Sequence, residues 1–117
     1  MEFLKHLKNK YPKDLMVQIS NTIYFNYDIE LSIQGSYCHY CIPRENLDYE
    51  KYTSMEFALF DHKKDKLIQV SDVLNILPEE DIWSDYYDGS IYGYVPVELI
   101  EKLYQELKRR YGLLEAL

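Results

Sequence analysis

The last third of the chain carries the clearest hydrophobic pattern. Its apolar residues recur every three or four positions, the spacing of one buried helix face. They are Leu99, Ile100, Leu103, Leu107 and Tyr111. Pro96 suits the first helical position, basic residues occupy 108–110, and Gly112 is a natural C-cap. The pattern predicts a C-terminal amphipathic helix over 96–111.

A second helical pattern lies at the N-terminus. Within residues 2–11 the apolar side chains are Phe3, Leu4, Leu7 and Tyr11, and lysines lie between them. Pro12 is expected to end this helix, because the residue before a proline is disfavoured in the α region. Residues 15–20 then predict a strand, followed by a turn at 21–22.

The middle of the chain alternates with the period of a sheet. The segment 24–36 predicts one strand in which Ile29, Leu31 and Ile33 share a face. Residues 55–60 and 67–70 predict two strands joined by a charged turn at 61–66, and residues 37–53 predict a long loop. Ser71 is the expected N-cap of a short helix over 71–77.

The segment 79–95 leaves two interpretations open. The dipeptide at 88–89, Asp-Gly, is a hairpin signal that would pair residues 82–87 with 90–95, or the segment is an irregular acidic lobe. Together these elements predict one α+β domain over 1–117. Its small antiparallel sheet has about four to five strands, with an N-terminal helix and a C-terminal amphipathic helix on one face.

Charge is distributed unevenly along the chain. The net charge is −7, from 13 Lys and Arg against 20 Asp and Glu. No Lys or Arg occurs between Lys66 and Lys102, and eight acidic residues lie there, so the rest of the chain is nearly neutral. This balance argues against direct binding of nucleic acid or of an anionic membrane and favours a basic partner.

Tyrosine is concentrated in the same acidic region, where four of the 13 fall within residues 86–94. Tyrosine and tryptophan are enriched where protein surfaces meet. Arg44 stands alone among basic residues between Lys13 and Lys51 and is a further candidate contact, or it holds its loop to Glu30 or Glu45. The predicted partner-binding residues are Arg44, Glu79, Glu80, Asp81, Trp83, Asp85, Tyr86, Tyr87, Asp88 and Tyr92.

One local motif has chemical potential, the Cys-x-x-Cys spacing of Cys38 and Cys41 around His39. A zinc site needs two more ligands, and the other histidines, His6 and His62, are far away in sequence. A redox motif normally opens a helix, and no helical pattern begins here. These cysteines are therefore weak metal candidates, and an unreactive pair is favoured. We predict no cofactor, no catalytic residue and no enzymatic activity.

The chain shows no export or membrane signal. No apolar run approaches the roughly 18 residues that span a bilayer, and lysines interrupt any signal-peptide core near the N-terminus. With only two cysteines, the sequence predicts a cytoplasmic protein that does not bind a membrane.

The segment 32–45, SIQGSYCHYCIPRE, resembles a pattern found in small uncharacterised phage and prophage proteins. In that pattern a strand ending in Gln, a small residue and Ser leads into a His-Tyr-Cys-x-Pro-Arg-Glu loop, and a strand of the type at 55–60 follows. The resemblance covers about a quarter of the chain. It implies a phage or mobile-element context and the cytoplasm of a host cell, and it brings no established activity.

The leading hypothesis is an inhibitor that binds a basic surface of a host protein, above all a nucleic-acid-processing defence enzyme such as a CRISPR effector or a nuclease. In this hypothesis the carboxylates stand in for phosphates and the aromatic residues supply buried anchors. The alternatives are a small Cys/His metal or redox protein, and an accessory protein that self-associates as a homodimer.

Overall fold

Five antiparallel strands form the sheet of this computed structural model, which describes residues 1–11 and 17–114. The strands are β1 (Ile23–Phe25), β2 (Ile29–Gln34), β3 (Ser54–Asp61), β4 (Lys66–Ile68) and β5 (Tyr92–Pro96). The α-helices are α1 (Val70–Leu74) and α2 (Val97–Tyr111), and short 3-10 helices lie at Glu2–His6, Tyr49–Lys51, Pro78–Glu80 and Ser84–Tyr86. The α+β class predicted from the sequence is confirmed.

Strand β3 is the centre of the sheet. One of its edges pairs with β2 from Glu56 to Asp61, and β2 pairs in turn with β1. The other edge is shared, because β5 pairs with residues 54–57 of β3 and β4 pairs with residues 59–61. Strand β5 therefore lies next to the first half of β3, close to the loop that precedes it.

The core lies on one face of the sheet, under α2 and the N-terminal turn. Leu31, Phe57 and Leu59 point from the strands towards Leu103 and Leu107 of the helix, and all five side chains are fully buried. The opposite face faces solvent, as the alternation of buried and partly exposed residues along β2 and β3 shows.

Helix α2 follows its prediction closely. Ile100, Leu103 and Leu107 are buried, whereas Leu99 and Tyr111 are only partly buried and pack at the edge of the core. The helix begins one residue after Pro96, which is instead the last residue of β5, and Gly112 forms its C-cap with a φ of +78°.

Tyr104 was not predicted as a core residue. It is fully buried, and its hydroxyl lies 2.9 Å from His6 Nε2. The side chain thereby joins α2 to the N-terminal turn.

The helix predicted over 2–11 is wrong beyond its first turn. The 3-10 helix ends at His6, because the next backbone groups bond to residues 19–21 instead of continuing a helix. Lys10 N–H donates to Ile19 O at 2.7 Å, and Asn21 N–H donates to Lys8 O at 2.8 Å. The expected helix end at Pro12 and residues 15–16 of the predicted strand lie outside the described residues. Residues 17–20 contribute only a bridge between Ser20 and Asn9.

The single strand predicted over 24–36 is divided into the hairpin β1–β2, and the turn lies at 26–28 rather than 21–22. Asn26 adopts a φ of +50°, and its side-chain oxygen accepts the N–H of Asp28 at 2.6 Å. Asparagine tolerates this left-handed conformation because its short polar side chain bonds locally.

The short helix predicted over 71–77 is shifted and shortened. It begins at Val70, and its N-cap is Gln69, which forms a capping box with Asp72, so Ser71 is not the cap. It ends at Leu74 because Asn75 turns left-handed, with a φ of +53°. After it, residues 79–91 form the irregular lobe rather than the hairpin, with only one bridge, between Tyr87 and Tyr92.

Candidate interaction site

Residues 78–88, which we call the acidic segment, are held by their own backbone and by short polar side chains. Asp81 Oδ1 accepts the N–H groups of Trp83 and Ser84, each at 3.1 Å, and thereby fixes the turn between the two 3-10 helices. Asp88 Oδ1 accepts the N–H of Ile91 at 3.3 Å. These two carboxylates therefore shape the segment as well as adding charge to it.

The remaining carboxylates of the acidic segment are those of Glu79, Glu80 and Asp85. They are exposed and make no hydrogen bond or ion pair with any described residue. Every ion pair in the described part of the chain lies elsewhere: His62 with Glu30, Lys108 with Glu2, and Arg109 and Arg110 with Glu106. Among residues 1–11 and 17–114, the negative charge of the segment is thus left without an ion-pair partner.

Two of the predicted partner-binding residues, Trp83 and Tyr92, are buried within the protein and so are not exposed to a partner. Trp83 is 4% exposed and Tyr92 is 1% exposed. The Tyr92 ring stacks on the Phe57 ring, with centroids 4.4 Å apart. The Tyr87 ring also packs against the Tyr92 ring, with centroids 4.9 Å apart. Burial raises the pKa of Tyr92 to about 12, although its hydroxyl accepts the N–H of Val70 at 2.9 Å. These side chains fasten the acidic segment to the sheet.

A groove of about 410 Å³ runs along the outer side of the acidic segment. We call it the tyrosine groove, and its lining residues are Tyr40, Asp85, Tyr86, Tyr87, Asp88, Gly93 and Tyr94. The predicted residues Tyr86 and Tyr87 are partly exposed here, and Asp85 and Asp88 are fully on the surface. The structure thus brings four predicted residues together with two tyrosines from other parts of the chain.

A β-bulge shapes the floor of the tyrosine groove. Met55 pairs with Val95 and Phe57 pairs with Tyr92, so the two residues Gly93 and Tyr94 stand opposite Glu56 alone. Bulges redirect side chains and are common beside functional sites. Here the bulge places Tyr94 in the left-handed region, with a φ of +55°, an unfavourable conformation for an aromatic residue.

The loop before β3 supplies the opposite wall through Tyr40. Tyr94 N–H donates to Tyr40 O at 2.9 Å, and the two rings lie 5.7 Å apart. Gly93 lets this wall approach closely, since a Cβ there would lie 3.1 Å from the Tyr40 Cβ. Tyr40 and Tyr94 remain 41% and 42% exposed, and so they present aromatic surface to a ligand.

Arg44 lies beside the tyrosine groove rather than in it. Its guanidinium is 5.5 Å from the centre of the Tyr40 ring, a cation–π contact, and its side chain is exposed. It pairs with neither Glu30 nor Glu45 within the described residues. Arg44 therefore contacts the Tyr40 ring, which forms one wall of the tyrosine groove.

Tyr40, Gly93 and Tyr94 were not among the predicted contact residues. The clustering of tyrosines within residues 86–94 pointed to the region of Tyr94, but no sequence signal joined residue 40 to residue 94. Their contact depends on the bulge and on the pairing of β5 with β3, which bring distant segments together.

The Cys-x-x-Cys motif places its two thiols in different surroundings. Cys38 is exposed, whereas Cys41 is fully buried and donates to the carbonyls of Ser36 and Pro43. Burial raises the pKa of Cys41, which keeps it protonated. Within residues 1–11 and 17–114, no three His, Cys, Asp or Glu side chains are grouped so that they could hold a metal ion.

No family model, curated protein or solved structure matches this chain. No helix in the described ranges has both the length and the apolar character needed to cross a bilayer.

Proposed function

We propose that this protein is a non-catalytic binding protein that covers a basic, nucleic-acid-binding surface of another protein and thereby inhibits it. The observation that carries this proposal is the uncompensated charge of the acidic segment beside the tyrosine groove. The resemblance of residues 32–45 to small phage proteins adds the context of a host cytoplasm, in which a nucleic-acid-processing defence enzyme is the partner.

The chemistry of the tyrosine groove suits an arginine or lysine side chain. Asp85 and Asp88 offer carboxylates for a charged hydrogen bond, and the exposed ring of Tyr94 offers a face for a cation. A groove of this size accepts one or two side chains of a partner. Tyrosine also contributes contact area at low cost in conformational entropy.

The arrangement of charge supports a steering role as well. Glu79, Glu80 and Asp85 are exposed and unpaired, so their field reaches beyond the protein surface. Complementary potentials accelerate encounter and fix the orientation of a complex, and salt weakens both effects. A surface that normally binds phosphates is attracted by the same field.

The proposal is tested with the purified chain as bait in a lysate of the host cell. The test variant changes three unpaired carboxylates, Glu79→Gln, Glu80→Gln and Asp85→Asn. The matched control removes the same charge elsewhere, through Asp48→Asn, Glu50→Gln and Asp65→Asn, at exposed positions outside the acidic segment. Bound proteins are identified by mass spectrometry and then purified for affinity measurements.

We expect the wild type and the control to retain a nucleic-acid-binding protein, which double-stranded DNA displaces. The test variant should bind it about tenfold more weakly, because each lost ion pair contributes a few tenths to 1 kcal/mol. The proposal fails if the three proteins bind equally, or if DNA and the bait occupy the captured protein together.

A further inference from the structure

The loop between β2 and β3 holds a group of nucleophilic and titratable side chains that the binding function does not use. Ser36 Oγ lies 2.6 Å from His39 Nδ1 and 3.3 Å from Cys38 Sγ. Ser36 is fully buried, whereas Cys38 is exposed. The accessible nucleophile of this group is therefore the Cys38 thiol, and Ser36 connects it to an imidazole.

The Ser36 hydroxyl has two complete sets of hydrogen bonds in this position. In both, its oxygen accepts the backbone N–H of Cys38 at 3.1 Å. In the first set, Ser36 Oγ also accepts a hydrogen bond from the Cys38 thiol, and its hydroxyl donates one to His39 Nδ1. In the second set, Ser36 Oγ accepts a hydrogen bond from the protonated His39 Nδ1, and its hydroxyl donates one to the Cys38 sulfur. Moving two protons converts a thiol and a neutral imidazole into a thiolate and an imidazolium.

His39 is in the correct protonation state to receive a proton at neutral pH. Burial lowers its pKa below the usual value, and the carboxylate of Glu56 on β3 acts in the opposite direction. Glu56 is also held in place, since its Oε1 accepts the N–H of Tyr40 at 3.2 Å. The ionisable side chains next to His39 in the loop include Cys38 and Cys41, and Arg44 and Glu45 follow further along. The imidazole is thus a neutral base with a carboxylate nearby to stabilise its charged form.

Cys41 supplies a contrast within the same loop. Its thiol donates to Ser36 O at 3.1 Å and to Pro43 O at 3.4 Å, and it is inaccessible to solvent. A reagent that reaches Cys38 does not reach Cys41 in the folded protein.

We propose that Cys38 is a thiol-exchange site, at which a small disulfide forms a mixed disulfide with the protein after Ser36 relays the thiol proton to His39. The Cys38 sulfur attacks one sulfur of the disulfide, a new S–S bond forms, and the original S–S bond breaks. The departing thiolate takes up the proton held by His39. One disulfide replaces another, so no separate oxidant is required. The reaction is a stoichiometric modification and is independent of the proposed binding function.

The test follows the reaction of the folded protein with dithiodipyridine, whose released thiol is measured by absorbance. Cys38→Ser should abolish the fast reaction, whereas Cys41→Ser should leave it unchanged. His39→Gln keeps a polar side chain but removes the base, and we expect a rate about fivefold lower at pH 7. His62→Gln is the matched control, because His62 is an exposed histidine on the β3–β4 turn.

The pH profile separates a proton relay from a purely structural role of His39. The difference between the wild type and His39→Gln should shrink towards pH 9, where hydroxide removes the thiol proton in both proteins. Ser36→Ala should behave like His39→Gln. If it does not fold, as judged by circular dichroism, His39→Gln decides alone.

Equal rates for the wild type and His39→Gln at pH 7 would overturn the proposal. A fast reaction that persists in Cys38→Ser would overturn it as well, because the reactive thiol would then be Cys41.

Discussion

Helix α2 and the acidic segment differ in whether their charged side chains form ion pairs. On the helix, Glu106 is paired with Arg109 at 2.8 Å, and Lys108 reaches Glu2 of the N-terminal turn, also at 2.8 Å. In the acidic segment, Glu79, Glu80 and Asp85 have no partner among the described residues. The two regions also differ in packing, since α2 buries a continuous stripe, whereas Trp83 is the one buried residue of the acidic segment.

This difference teaches which charges serve the fold and which remain available to a partner. The basic residues in the last turn of the helix interact favourably with the helix dipole, and the ion pairs of the helix are formed within the molecule. The charges of the acidic segment repel one another, and no described residue forms an ion pair with them. Under the proposed function, the basic partner supplies the opposite charge.

The largest expected effect is a loss of stability when a buried side chain of helix α2 is truncated. Leu107→Ala removes a fully buried side chain of α2 and should lower the free energy of unfolding by about 2–5 kcal/mol. Leu77→Ala, immediately before the acidic segment, removes a side chain that is 55% exposed and should change the free energy of unfolding by no more than about 0.5 kcal/mol. Urea unfolding measures both, and similar losses would show that the segment is packed as firmly as the helix.

The next effect concerns two tyrosines only two residues apart. Tyr92→Phe leaves the buried N–H of Val70 without its partner and should destabilise the protein by about 1–3 kcal/mol. Tyr94→Phe removes an exposed hydroxyl and should change stability by less than about 0.5 kcal/mol.

The Tyr92 hydroxyl also makes stability depend on alkaline pH. Its pKa in the folded protein, about 12, lies above the ordinary value of 10.0. The protonated hydroxyl therefore contributes fully below pH 10, and this contribution is lost as the pH rises through 12. Tyr92→Phe should lose less stability than the wild type between these pH values. An identical decline in both proteins would contradict the assignment.

A smaller effect on stability is expected for a substitution in the β-bulge, and it tests whether the conformation of Tyr94 contributes to partner binding. Asparagine accepts a φ of +55° more readily than tyrosine, so Tyr94→Asn relieves about 1 kcal/mol of backbone strain and loses the contact with Tyr40. We expect stability to remain within about 1 kcal/mol of the wild type, while affinity for the captured partner falls about tenfold. Unchanged affinity would remove Tyr94 from the binding surface.

The smallest effects should have opposite signs. Neutralising Glu79, Glu80 and Asp85 removes repulsion and should raise stability slightly, whereas Glu106→Gln removes an attraction and should lower it slightly. Added salt should reduce both differences.

Lowering the pH tests the contribution of the Glu106 ion pair separately. Its hydrogen bond to Arg109 lowers its pKa, so its contribution is present above the ordinary carboxyl pKa and is lost as the pH falls through the lowered value. Thermal melting of the wild type and Glu106→Gln should therefore converge in acid. Curves that stay apart in acid would exclude this ion pair as the cause.

Several features of this protein were determined by local sequence. Helix α2 and strand β3 have patterns that persist over enough residues to specify both their type and their buried face. The absence of Lys and Arg between Lys66 and Lys102 is likewise visible in the order of residues alone. Their common reason is that periodicity and charge count need no knowledge of distant segments.

Tertiary structure decided the remaining features. Residues 8–10 have a helical pattern, yet their backbone groups bond to residues 19–21, because pairing with another segment satisfies them better than a further turn of helix. Trp83 and Tyr92 look like surface aromatic residues in an acidic stretch, but the sheet beneath them takes up their apolar area. Tyr40 meets Tyr94 only through the bulge in β5. The sequence by itself determined where the negative charge lies, and only long-range strand pairing decided which aromatic side chains stand beside it.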